Sequence, residues 1–411
     1  MNDTAPADES QSSAHPANDH QRIYRYIDPL SLPTLDAKDF RLLDGVSGVC
    51  IEQPDVVRTF LRYAPEFIDD PDATGLFSSL AAAVYTSPPN FIASASDAKI
   101  VGYRAVLWSD RFYVDQSHAS MTDSFLAKIA KPLPFENEDT RLRPAGDADL
   151  FTLEDNRQPH LTLNEVAVNL TSMEPSNYGS FLFRVLPKVE ALRDLDLLDL
   201  PFVAYAVNES YLRLLELAGL SRDKIVRHDT HIITSVARLI TPSQRNPGAF
   251  LDYKSREICQ RIVRAVNPVP TERGKLYISR AGHAKRGGST RVMVNEDALI
   301  ERLASLGFEI FSPEENSADE QVVAFSSASM VVGPSGGGMF NTVFCRPGTK
   351  VIDIESEEDW IYAHTGLFAS SSLRYGIFVG KVDIADPAPV HRRWSVNIDA
   401  LLNRISEFTR S

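Results

Sequence analysis

From residue 163 onward, apolar and polar positions fall into a regular succession that predicts alternating strands and helices. Short apolar runs at 166–170, 202–207 and 232–240 read as buried strands. Between and after them, helical periodicity covers 177–195, interrupted at Pro187, then 209–218, closed by Gly219, then 252–266. The pattern is clearest in the last third. Strands are predicted at 275–280, 308–311, 330–333, 350–355 and 375–379. Helices are predicted at 296–306, where Asn295 is placed to cap, and at 319–328, 336–344 and 359–368, with a closing helix at 394–409. Strict alternation of this kind predicts a parallel sheet covered by helices on both faces. Upstream, 99–103, 105–108 and 111–114 are strand-like with a turn at Ser109 and Asp110, which predicts an antiparallel hairpin or meander.

These elements divide the chain. Residues 1–21 hold almost nothing to bury and read as a disordered tail. Residues 22–270 form an N-terminal domain with a β-rich extension, and 267–270, Asn-Pro-Val-Pro, a linker. Residues 271–393 form a C-terminal domain, and 394–411 the closing helix. A chain of 411 residues is long enough for two cores.

Charge narrows the function classes. With 42 Lys and Arg against 55 Asp and Glu, the net charge is −13. That excludes a general nucleic-acid binder, which needs a basic face. Cys50, Cys259 and Cys345 are too few and too scattered for a disulfide framework. No run is apolar enough to span a bilayer and no secretory pattern opens the chain. A cytoplasmic location follows as the expectation, with peripheral contact at the inner face of a membrane left open.

Ligands of open parallel sheets bind beyond the carboxyl ends of the strands. There the sequence places Ser279 and Arg280 followed by a basic loop containing His283, Lys285 and Arg286; the turn Ser335-Gly336-Gly337-Gly338; and Glu355. Glycines at a helix start let a phosphate approach backbone amides, and the cations would neutralise a diphosphate. Glu355 would accept the two ribose hydroxyls. Taken alone, the glycine turn serves equally well as a tight βα connection, and Glu296 as an acidic residue in a first helical turn. In the N-terminal half, Ser180, Arg184 and Lys188 share one helix face, for which a solvated stripe is the simplest reading. His228, Asp229 and His231 have no evident third metal ligand and read as a loop-edge cluster. His160 and His364 read as structural as readily as functional.

At these positions the chain resembles glycosyltransferase family 61. The resemblance spans roughly 99–355. It rests on Tyr277-Ile278-Ser279-Arg280 with Arg291, Asn295 and Glu296; on 331–341 through Ser335, the three glycines and Asn341; on 344–354; and on 177–188, which opens Asn177-Tyr178. It implies an α/β, GT-B-like architecture of two Rossmann-like domains facing a cleft. It also implies inverting, metal-independent transfer from a nucleoside-diphosphate sugar, a UDP-sugar foremost, to a glycan or lipid-linked glycan in surface polysaccharide synthesis, with no added cofactor. Asn177, Tyr178, Ser180 and Arg184 would then lie on the acceptor side. Ser279, Arg280, Arg291, Asn295, Glu296, Ser335, Gly336, Gly337, Gly338, Asn341 and Glu355 would lie on the donor side. The family usually has histidine where this chain has Ser335 and Ser180, and an acidic residue where it has Arg184. Inverting transfer needs a base, and Arg184 stays protonated. The base is therefore displaced, with Glu165, Glu174 or His160 as candidates, or absent. That leaves two alternative functions: a non-catalytic nucleotide-sugar binder, or a nucleotide-sugar epimerase-like enzyme.

Overall fold

The structure, a computed structural model, describes residues 22–52, 58–69, 82–87, 89–115, 142–147, 149–153, 160–205, 208–229, 231–246, 249–266, 274–282, 291–356, 364–388 and 392–411. The expected tail, the 267–270 linker, and His283, Lys285 and Arg286 of the basic loop lie outside the described residues, as does the first half of the helix expected at 359–368.

The chain folds as a mixed α/β protein around two sheets. The first has eleven strands and is mixed. One part is a parallel quartet: Ile225–Arg227, Phe202–Ala204, His160–Asn169 and Ile233–Pro242, in that spatial order. Numbered along the chain these strands run 3-2-1-4, the order of a doubly wound sheet. Phe91–Val101 pairs antiparallel with Ile233–Pro242 and continues through Ala105–Trp108 and Arg111–Val114, the expected meander.

The second sheet has six strands, all parallel: Phe308–Phe311, Lys275–Ile278, Met330–Pro334, Lys350–Glu355, Arg374–Val379 and Ile68–Asp69. The five C-terminal strands run 2-1-3-4-5, the other common doubly wound order. Their near-continuous apolar runs follow from burial on both faces: Val331, Val332, Ile352 and Ile354 are fully inaccessible. The edge strand Ile68–Asp69 comes from the N-terminal part, so this sheet is not confined to 271–393.

Helices fill the space between the sheets. Leu186 and Val189, then Ile258 and Ile262 of Tyr253–Val266, then Val322 and Phe325 of Ala318–Ser327 belong to one apolar cluster with Val168, Leu276, Val331 and Tyr375 of the strands. Removing a fully buried ring such as Phe325 from so dense a core costs roughly 3–5 kcal/mol.

Local chemistry sets the element ends. Asn208 accepts from the Tyr211 amide at 3.0 Å at the start of Glu209–Leu217, and Gly219, at φ +102°, follows that helix. Ser317 and Glu320 form a reciprocal capping box. Asn295 departs from expectation. It stands before Glu296–Ser305, but its side chain does not cap that helix; it bonds the Val396 carbonyl at 2.8 Å and the Val396 amide at 3.2 Å. It thereby ties down the approach to the closing helix Ile398–Arg410.

Candidate functional site

In the parallel quartet and in the second sheet the order reverses beside the strand that comes first in each, and the ends of those two strands are the switch points at which doubly wound sheets place their ligand crevices. The first lies after His160–Asn169. The chain continues through Ser172 to Glu174, then enters a helix: Tyr178–Ser180 is α, Phe181–Val185 is a π-turn, and Leu186–Arg193 is α again. Pro187 therefore does not break the helix. Its missing N–H is absorbed by a widened turn immediately before it, in which the Leu186 amide reaches the Phe181 carbonyl.

The polar positions of this helix are not a solvated stripe. Lys188 is wholly inaccessible; its ammonium bonds Asp115 and the Thr171 carbonyl, both at 2.8 Å. Asp115 also accepts from Tyr113 at 3.1 Å, Ser172 at 3.0 Å and the Gln244 amide at 2.9 Å. A buried charge so fully bonded fixes the loop after the strand in place. One turn earlier, Ser180 donates to Glu174 at 2.8 Å, and Arg184 donates to Glu174 at 2.5 Å and to Ser180 at 2.9 Å. Both bonds to Glu174 end on Oε2. The carboxylate is half exposed, whereas the Arg184 side chain is 12% exposed. Partial burial alone would raise the Glu174 pKa, but the Arg184 charge and the bonds from Ser180 and Arg184 outweigh it, and the net direction is down. Glu174 also holds φ at +49°, a region non-glycine residues enter at a cost.

The second crevice lies between Lys275–Ile278 and Met330–Pro334. Ser279 and Arg280 leave the first strand, and Ser335 and Gly336 leave the second. Gly336 has φ +155°, and a Cβ placed there would stand 3.2 Å from Arg280 Nη1 and 3.6 Å from Arg291 Nη2. Two guanidiniums thus crowd one glycine. Arg280 donates to the Ser335 carbonyl at 3.1 Å. Burial, and then the Arg291 charge, push its pKa down to about 10, so an anion here would be strongly favoured. Where a Cβ of Gly337 would stand, the space is open. The segment that follows, Gly337–Phe344, is a 3₁₀ helix and not the α-helix its sequence suggests.

Several expected donor residues shape this rim from beneath. Glu296 is 4% exposed and accepts from the Arg280 amide at 2.7 Å, Ser279 at 3.1 Å and Tyr277 at 3.3 Å. Asn341 accepts from Tyr178 at 2.5 Å and donates to Gln321 at 2.9 Å. That bond joins the two crevices, as does Gly179, where a Cβ would strike the Phe340 ring at 2.4 Å. Only glycine allows the first helical turn so close to the 3₁₀ helix. Asn177 remains exposed and caps the helix through the Ser180 amide at 3.2 Å.

Glu355 ends its strand fully buried. Asp353 shares its face of the strand, and His364 Nδ1 lies 2.8 Å from Asp353 and 3.3 Å from Ser335 Oγ. Burial first, then Asp353, hold the Glu355 carboxyl well above the usual range. From sequence alone Asp353 has no assigned role and His364 is as readily structural as functional; an Asp flanked by Ile352 and Ile354 in a buried strand is the available signal. His228, by contrast, is a satisfied core residue, held by Thr234 at 2.9 Å and the Gly102 carbonyl at 2.6 Å. Glu165 and His160 are exposed.

Residues 178–352 match the family model described as Glycosyltransferase 61. The match starts on the helix of the first crevice and ends in the strand that carries Asp353. A search of curated proteins finds no match. This part of the chain is thus similar to the glycosyltransferase 61 family. Among the described residues no helix is long and apolar enough to cross a membrane.

Proposed function

We propose that this chain catalyses inverting transfer from a nucleoside-diphosphate sugar, a UDP-sugar foremost, to a hydroxyl of a glycan or lipid-linked glycan, in surface polysaccharide synthesis at the cytoplasmic face of a membrane. The observation that carries this reading is the crowding of Arg280 and Arg291 over Gly336 at the switch point of a doubly wound sheet. Two cations beside bare backbone suit a diphosphate, and they stabilise it further as it gathers charge on leaving. Ser279, Glu296 and Asn295 hold the strand end and helix that present Arg280. Ser335 contributes its carbonyl to Arg280, and Asn341 anchors the 3₁₀ helix to Tyr178. The two doubly wound strand orders support a GT-B-like arrangement with the acceptor on the N-terminal side.

Glu174 supplies the base that the altered helix motif lacks. Ser180 and Arg184 bind its Oε2, and Oε1, to which no described donor is bonded, takes the proton of the acceptor hydroxyl as that oxygen attacks the anomeric carbon. Arg184 keeps the carboxylate ionised. Asn177 borders the same opening. With a carboxylate so placed, the non-catalytic alternative loses the altered helix motif that motivated it, and product analysis separates transfer from the epimerase-like alternative. Incubation of the purified protein with UDP-sugars and an acceptor panel tests the reading: transfer supports it, whereas interconversion of the UDP-sugars or absence of nucleoside-diphosphate binding overturns it.

A further inference from the structure

We propose that Asp353, Glu355 and His364 form a binding site for one divalent transition-metal cation. Asp353 and Glu355 are two residues apart in one strand and project from the same face, and His364 enters just ahead of the Thr365–Ser370 helix. One ligand atom from each lies within 4.8 Å of the other two. None of the three is more than 1% exposed.

The cluster is incomplete as a set of hydrogen bonds. Asp353 Oδ2 and His364 Nδ1 satisfy each other. Asp353 Oδ1, both Glu355 oxygens and His364 Nε2 have no partner. The Ser335 hydroxyl is near enough to favour an ionised Glu355, yet it completes no hydrogen bond to either oxygen. Two neighbouring carboxylates in a dry interior repel, and Arg291 offsets only part of their charge. A cation that takes an oxygen from each carboxylate and a ring nitrogen from His364 answers the charge and the orphaned atoms together. The mixed nitrogen and oxygen donor set suits Zn²⁺ or Mn²⁺; Mg²⁺ and Ca²⁺ prefer oxygen alone. Ser335, beside His364, leads into the glycine turn, so a filled site would brace the rim that carries Arg280. The site stands on its own geometry and does not depend on the transfer reaction.

The test uses the full chain, stripped with chelator and dialysed against Zn²⁺, Mn²⁺ or Mg²⁺, with metal content read by mass spectrometry and stability by thermal melts. One equivalent of Zn²⁺ or Mn²⁺ is expected, raising the melting temperature by about 5 °C, with no response to Mg²⁺. Glu355→Gln, which keeps the volume, and His364→Ala are each expected to weaken binding at least 10-fold. Failure of the wild-type chain to take up a stoichiometric cation overturns the proposal. So does a Glu355→Gln variant that binds as the wild type does. A Glu355→Gln variant that is more stable than the wild type in chelator, with a wild type indifferent to metal, would show a shared proton in place of the cation.

Discussion

The side-chain amide of Asn246 donates to the main-chain carbonyl of Phe183 at 2.7 Å, and Phe183 lies four residues before Pro187. Proline has no N–H to return to that carbonyl, so a residue from beyond the Ile233–Pro242 strand supplies the donor. Asn246 is itself buried, and it also bonds Ser255 and the Asp252 amide at 2.9 Å each. The helix that carries Ser180 and Arg184 is thereby clamped to the neighbouring strand end.

Asn246→Ala removes that donor and leaves a buried carbonyl unpaired. A loss of about 2 kcal/mol in unfolding free energy is expected, read as a lower urea midpoint at unchanged slope. Adding Pro187→Ala returns an N–H to the Phe183 carbonyl and is expected to recover part of the loss. Two losses that simply add would show that the clamp does not depend on the proline.

Arg280→Ala is expected to weaken binding of UDP by 10-fold or more in calorimetry. The fold should tolerate it, because Glu296 bonds the Arg280 backbone amide, which the substitution keeps. Arg280→Lys retains charge but loses the planar fork, and is expected to fall between the two. Equal affinity in all three proteins would remove the diphosphate from this rim.

Glu174→Gln is expected to lower kcat by 10²–10³ while leaving UDP affinity within about twofold, the range typical of a lost general base. The sign of the pH dependence follows from the depressed carboxyl. A base must be ionised, so the wild-type acid limb lies below the ordinary Glu value of 4.5. Arg184→Ala removes the largest of the influences that lower it, and is expected to move that limb upward, toward neutral pH. A limb that stays in place would separate Glu174 from the chemistry.

Much of this was legible in the chain, and what was not has local causes. Phe308–Phe311 and Lys350–Glu355 follow from apolar runs bounded by turn residues, and Arg280 with Gly336 from their places at strand ends. That the C-terminal strands are parallel was implied by alternation, but neither their order 2-1-3-4-5 nor Ile68–Asp69 joining the edge was, because alternation does not say which strands are neighbours and a two-residue strand carries no period. The 3₁₀ segment after Gly336 brings Gly338 close to Pro313 and Ile278, a contact that no local pattern encodes. Glu174 stood among three nearby candidates for a base, since only the fold brings its carboxylate back onto Ser180. Asp353, Glu355 and His364 converge from the end of a strand and the start of a helix, and spacing of 2 and then 9 residues matches no ligand motif.

Lys188 shows how far a helix face can mislead. At i+8 from Ser180 it reads as a solvated charge, yet it and Asp115 are both 0% exposed at 2.8 Å. The Asp115 carboxylate is held by Tyr113, Ser172 and Gln244 as well, so removing the lysine leaves a negative charge in the interior that three neutral donors cannot match. Lys188→Met is expected to cost roughly 3–5 kcal/mol, or to prevent folding at 37 °C. Asp115→Asn added to Lys188→Met keeps the shape and removes the stranded charge, and is expected to be the more stable of the two variants. Chemical unfolding of the single and double variants measures the coupling. A double variant no more stable than Lys188→Met would mean that the lysine acts through its hydrogen bond to the Thr171 carbonyl, and not through its pairing with Asp115.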